Sequence, residues 1–294
     1  MADLVWDARN IVGESLVWDA ARGTLVWVDI VGRRIFRLAP GKAEPEVWDA
    51  PEIVTSIGLA RDGRAVVGLR KRVAWFDFAG NFTTIAELEP DVPGNRLNEG
   101  VVAPDGSFWV GTMQNNIAPD GAPLSIDAST GRLWRVTAGG EVAPLSEDRF
   151  GITNTLAWPG DGTVLTADTL ANAIYRYDLA PDGRLGARRA HFEGFQRGVP
   201  DGSCLDAEAH LWNCRVVGGA CLARIAPDGA LDRVEELPCS WPTSCAFGGP
   251  ELATLYVTSA RFTMSESHLA AHPQEGGLFA LEPGVAGTPP NLFG

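Results

Sequence analysis

A hairpin pattern that recurs six times constrains this chain more than any other feature. Each copy has a polar residue, a short apolar strand, a tight turn and a returning strand. The clearest copy runs from Arg96 to Met113, RLNEGVVAPDGSFWVGTM. Its Pro104-Asp105-Gly106-Ser107 has the composition of a turn, and Phe108 to Thr112 that of a strand. Aligned on the residue ahead of the first strand, the copies fall at Glu14, Thr55, Asn98, Asn154, Asp201 and Thr243, at separations of 41, 43, 56, 47 and 42 residues. That interval is the length of a four-stranded propeller blade. The expected fold is all-β, a six-bladed β-propeller, with residues 1–294 as a single domain.

Further strands fit the same frame. Second strands begin at Leu25, Ala65, Phe108, Val164, Leu211 and Leu255, and third strands at Arg34, Val73, Arg132, Ala173, Cys221 and Gly277, rich in branched and aromatic residues. Val5-Trp6-Asp7-Ala8 recurs as Val47-Trp48-Asp49-Ala50, so the N-terminal segment reads as an outer strand without a blade of its own. The sixth copy runs out soon after Leu281. The N-terminal strand is therefore expected to complete it and close the ring, which removes an open sheet edge.

Composition narrows the partners. A net charge of -13 argues against nucleic acid, whose affinity rests on Lys and Arg neutralising phosphates. The five cysteines are odd in number and form no CxxC pair, so reduced, mostly buried thiols are expected rather than a disulfide framework or zinc knuckle. The N-terminus has no apolar h-region, and no run of about 18 apolar residues occurs. A soluble, cytoplasmic protein with no membrane partner is expected.

In a propeller the first strand of each blade lines the central channel, so the six aligned residues should gather at one rim. Asp, Asn and Thr are also ordinary turn formers. Glu14 is not, and two acids with two amides at one mouth form a ring of oxygen ligands. Facing carboxylates repel unless a cation lies between them, which suits one divalent metal ion: Ca²⁺, Mg²⁺ or Mn²⁺, with Zn²⁺ and Fe(II) also compatible. Loops between second and third strands open on the same face. Those of the third blade, Met113 to Gly131, and the sixth, Ser259 to Gly276, are long enough to cover the mouth. Arg96 and Glu99 flank Asn98 there. Position alone leaves Arg96 equally suited to holding a ligand and to pairing with a neighbouring acid.

Other chemistry is sparse. His268 and His272 have i, i+4 spacing but lack the glutamate of HExxH, and read as solvated loop histidines. There is no GxSxG elbow and no glycine-rich phosphate loop. Any catalysis must come from metal and carboxylate.

GESLVWD from Gly13, RLNEG from Arg96, PDGSFWVGTM from Pro104, GITN from Gly151, VPDGSCLDAEAHLW from Val199, PTSCAFGGPELATLYVTSAR from Pro242 and GGLFAL from Gly276 together resemble the regucalcin (senescence marker protein), gluconolactonase and luciferin-regenerating enzyme family. The resemblance runs in order along nearly the whole chain. It implies a six-bladed propeller with one divalent cation near the axis and, as in many bacterial members, hydrolysis of aldonic acid lactones. It implies Glu14, Asn154 and Asp201 as metal ligands and Arg96 and Asn98 as substrate contacts, with Asn115 where regucalcin has a glutamate. RLNEG replaces the usual RxNDG, GESL replaces GEGP, and Thr155 stands where glycine is common. The reading is a metal-dependent sugar lactonase acting on a small sugar lactone, with Arg96, Asn98 and Asn115 orienting the ring and Asp201 taking a proton from water. A phosphotriesterase-like or other ester hydrolase, and a non-catalytic calcium-binding propeller, are the alternatives.

Overall fold

The computed structural model describes residues 2–294. Six four-stranded antiparallel sheets make up the fold. Their innermost strands are Gly13–Asp19, Val54–Leu59, Asn95–Val102, Thr153–Ala157, Val199–Leu205 and Pro242–Gly248. Each touches the next and the last touches the first, so they enclose an axial channel. Five sheets are continuous in sequence; the sixth consists of Pro242–Gly248, Thr254–Ser259 and Leu278–Leu281, with Asp3–Trp6 as its outermost strand. Asp3 and Leu4 pair there with Ala280 and Phe279.

Blade packing explains the aromatic content. Trp27 and Phe36 stack with centroids 5.0 Å apart, and Trp6 closes on them at 5.9 and 5.8 Å. Trp18 stacks on Tyr256 across the seam between the first and sixth blades. Such pairs add to the burial of large apolar area. Trp6 is only partly buried, so Trp6→Ala is expected to cost about 2 kcal/mol, below the range for a fully buried tryptophan. Chemical denaturation of the purified variant measures this, and an unchanged midpoint would show that the outer strand contributes nothing.

One irregularity repeats in all six blades. Every innermost strand carries one more residue than its partner at the same level, between Glu14 and Val17, Val54 and Ser56, Leu97 and Gly100, Asn154 and Leu156, Pro200 and Ser203, and Pro242 and Cys245. These are β-bulges, which re-aim side chains and commonly sit beside functional sites. Ser15 and Thr155 take up the bulge in left-handed backbone, both at φ 54°. The innermost strands also crowd one another. A Cβ on Gly202, directly after Asp201, would meet the Thr243 carbonyl oxygen at 2.7 Å.

The chain beyond Leu281 crosses the mouth opposite the aligned polar residues. Ala207 donates to Ala286, Phe293 to Leu59, and Gly294 to Gly106, at 2.8, 2.9 and 3.0 Å. A short helix, Glu266–Ala271, occupies the loop where irregular chain was expected. Ser265 starts it by accepting a hydrogen bond from the His268 backbone N–H, a standard N-cap.

Candidate active site

The last residues of the second strands hold the aligned residues in place. Asp29 accepts the backbone N–H groups of Ile11 and Val12 at 2.9 and 3.0 Å, just ahead of Glu14. Asp168 does the same for Gly151 and Ile152, at 2.8 and 3.2 Å, ahead of Asn154. In the fifth blade a buried arginine reverses the polarity: Arg215 donates to the carbonyls of Arg197 and Gly198 at 3.1 and 3.0 Å, ahead of Asp201. Each approach segment is thus tied to its own blade.

Glu14, Asn98, Asn154, Asp201 and Thr243 line one cavity of about 280 Å³, together with Arg96. Thr55 is buried beside it and bonds to the Gly68 carbonyl instead. The cavity is roofed partly by Ile117, Pro123 and Leu124 from the long third-blade loop and by Phe262 and Thr263 from the sixth-blade loop. A larger cavity of about 440 Å³ opens on the opposite face, under Pro289 and Pro290. Residues one or two steps along the bulges, Ser15, Glu99, Ser203 and Ser244, face that second chamber. The bulges therefore give two stacked polar rings, and the ligand-like groups lie in the first.

Charge in the first ring is unbalanced. Burial and the charges of Asp201 and Glu99 push the Glu14 carboxyl well above its ordinary value. Burial and Glu99 do the same to Asp201, against the lowering effect of the Asn154 side chain and Arg96. Glu99 itself is pushed up to about 7, by burial first. Two carboxylates share the first ring with one guanidinium, and Glu99 lies in the chamber next to it; once ionised they would put more negative than positive charge into a low-dielectric pocket, an excess that a divalent cation would offset. Asn154 has its amide rotation fixed by a 2.8 Å bond to Thr169 Oγ1.

Arg96 makes no ion pair among the described residues. Its Nη1 donates to Asn98 Oδ1 at 2.7 Å and to the Leu97 carbonyl at 2.8 Å, and its Nε and Nη2 donate to Asn116 Oδ1 at 3.2 and 2.8 Å. Burial brings its pKa down to about 10, opposed by Glu14 and Asp201. Asn98 is held in turn by the Thr153 carbonyl, at 2.9 Å. Asn115 is not among the cavity's lining residues. Its amide donates to the Ile117 carbonyl at 2.8 Å and shapes the loop, while Asn116 reaches the cavity.

A family model described as the SMP-30/Gluconolactonase/LRE-like region matches residues 12–261. The chain belongs to this family. It is 34% identical to the 6-deoxy-6-sulfogluconolactonase of Pseudomonas putida over 97% of this chain and 95% of that protein. It is also 34% identical to the regucalcin of Gallus gallus, over 99% and 97% of the two chains. Its fold superposes on the calcium-binding protein regucalcin of Agrobacterium tumefaciens with a TM-score of 0.90 and 29% identity, covering 100% of this chain and 97% of that one. In this member of the SMP-30/gluconolactonase family, two site features escape a sequence reading. The bulges leave no compositional trace, and Asn116 is distinguished from Asn115 only by the turn its neighbour makes.

Another cluster with ligand-like atoms lies elsewhere. Asp206, Glu208 and His210 bring their ligand atoms within 4.8 Å of one another. Arg224 already occupies their focus, bonding to Asp206 at 2.9 Å, to Glu208 at 2.6 Å and to Asp232 at 2.7 Å. A guanidinium supplies the counter-charge there, so the cluster is a structural clasp and not a metal site. His268 on the short helix bonds to Glu275 at 3.2 Å and lies away from the cavity's lining residues. All five cysteines are free.

Proposed function

We propose that this protein is a metal-dependent lactonase that opens a sugar lactone to its aldonate. The observation that carries the reading is the convergence of Glu14, Asn154 and Asp201 on one small cavity holding more carboxylate than cation. The lactonase named among its relatives and the family's description support the choice of bond.

The donor set fits a hard cation: two carboxylates and an amide oxygen, with room in the cavity for water and substrate. Glu14, Asn154 and Asp201 would hold it. When bound, the cation supplies Lewis-acid polarisation of the lactone carbonyl and stabilises negative charge developing on its oxygen. Arg96, Asn98 and Asn116 form a cross-braced unit on one wall, suited to holding ring hydroxyls in a single orientation. Asn115 serves that unit by shaping the loop that carries Asn116. Asp201 would accept the proton of the attacking water.

The test is hydrolysis of aldonolactones by chelated protein reloaded with single cations, followed by pH indicator and corrected for spontaneous opening. Activity is expected to vanish on chelation and to return with at least one of Ca²⁺, Mg²⁺, Mn²⁺, Zn²⁺ or Fe²⁺. Unchanged turnover in chelator would overturn the metal requirement. Turnover of phosphotriesters in place of lactones would overturn the substrate class.

A further inference from the structure

The walls above the polar floor are apolar to a degree that a fully hydroxylated sugar does not need. Ile30, Ile152, Trp241, Phe262, Leu124 and Val217 line the cavity together with Glu14, Asn154 and Asp201. Leu124 is 47% exposed and Val217 56% exposed. Both belong to loops joining second to third strands, so this apolar surface forms the rim itself. Val217 sits at φ 58°, left-handed backbone in which a β-branched side chain is strained. Asparagine or glycine would sit there at lower cost, and strain of this kind is retained where the side chain serves a site.

Polar groups able to read hydroxyls are few, with the exposed Thr263 at the rim. Thr243 turns its hydroxyl to the Gly13 carbonyl, and Thr169 accepts from Asn154. Asn98 is engaged at both ends of its amide. Asn116 Nδ2 has no partner among the described residues, and it lies beside Arg96 at the floor. Among the described residues Arg96 is the sole cation lining the cavity, and most of its N–H groups are committed to neighbours. A sulfonate, phosphate or carboxylate at the far end of a substrate would find no second cation among the described lining residues.

We infer that the site selects a terminally deoxygenated aldonolactone: a lactone with hydroxyls on the ring carbons near the carbonyl and a methyl or similar apolar group on its distal carbon. The inference rests on the lactonase reading and refines it. A distal hydroxyl against Phe262, Leu124 and Val217 would give up part of its water with the Thr263 hydroxyl as its one polar neighbour among the rim residues named, while a methyl group there gains contact. An apolar pocket discriminates against one added hydroxyl by about ten- to a hundredfold.

The experiment compares stereochemically matched pairs under identical metal loading: L-fucono-1,4-lactone against L-galactono-1,4-lactone, and L-rhamnono-1,4-lactone against L-mannono-1,4-lactone. The deoxy member of at least one pair is expected to have kcat/KM at least tenfold higher. Equal or better turnover of both parents, or preference for a 6-sulfo or 6-phospho lactone, would overturn the inference while leaving the lactonase reading intact. Failure to open any lactone above the spontaneous rate would instead overturn the lactonase reading. Leu124→Ser, at an exposed position, is expected to reduce the preference to threefold or less. Val217→Asn is expected to reduce it likewise and to raise the melting temperature by relieving the backbone. A raised melting temperature with selectivity unchanged would show that Val217 has no part in recognition.

Discussion

Asp201→Ala is expected to lower kcat/KM for lactone opening by at least about 10³-fold and to abolish any cation-induced rise in melting temperature. Two losses combine: the charged ligand proposed for the metal, and the group proposed to take a proton from water, which alone is worth about 10²- to 10⁴-fold. Asp201→Asn separates them from simple damage. It keeps the shape of the side chain beside Asn154 and removes the repulsion that Asp201 exchanges with Glu14 and Glu99. The chelated Asn variant should therefore be at least as stable as chelated wild type at pH 8 while remaining inactive. Asn154→Ala, which deletes the proposed uncharged ligand, is expected to weaken cation affinity more than it lowers kcat at saturating metal. Full metal occupancy with full turnover in Asp201→Ala would remove Asp201 from both roles.

How far such a site can be read from sequence depends on which forces leave a mark in residue choice. The blades were legible because strand patterning is paid for locally: LVWVD, FWVGT and LWNCR alternate or bury as second strands must, and the observed strands Thr24–Asp29, Phe108–Gln114 and Leu211–Val216 begin within a residue of those expectations. The six polar positions were legible because the repeat fixes their phase. What lies between phase and geometry was not. A bulge of one residue turns Asn98 into the upper chamber and Glu99 into the lower, yet RLNEG reads the same with or without it. Asn115 and Asn116 are chemically identical, and the side-chain bond of Asn115 to Ile117 decides which one reaches the cavity. The helix at Glu266–Ala271 spans six residues, too short for a hydrophobic period to show, and it buries none of them.

The second ring carries the other large expectation. Glu99 is buried between the chambers, accepting the backbone N–H groups of Gly100 and Thr155 at 3.0 and 3.2 Å. Burial nevertheless dominates and moves its pKa from 4.5 to about 7. The folded state thus keeps a proton that the unfolded chain releases near its ordinary value. The stabilisation from Glu99 is complete below about pH 4.5 and is lost as pH rises through about 7, on the order of 3 kcal/mol in all. Glu14 and Asp201, raised in the same sense, add to the slope. In chelator, the melting temperature of wild type is expected to fall between pH 5 and pH 8. Glu99→Gln, which keeps the size and one acceptor of the side chain, should fall less steeply and exceed wild type at pH 8. Added cation should raise the melting temperature most at the upper end of this range, where the carboxylates of the upper ring are ionised and their repulsion is greatest. Parallel slopes for Glu99→Gln and wild type would mean that Glu99 is ionised throughout, and that the charge deficit around the channel is met by something other than a retained proton.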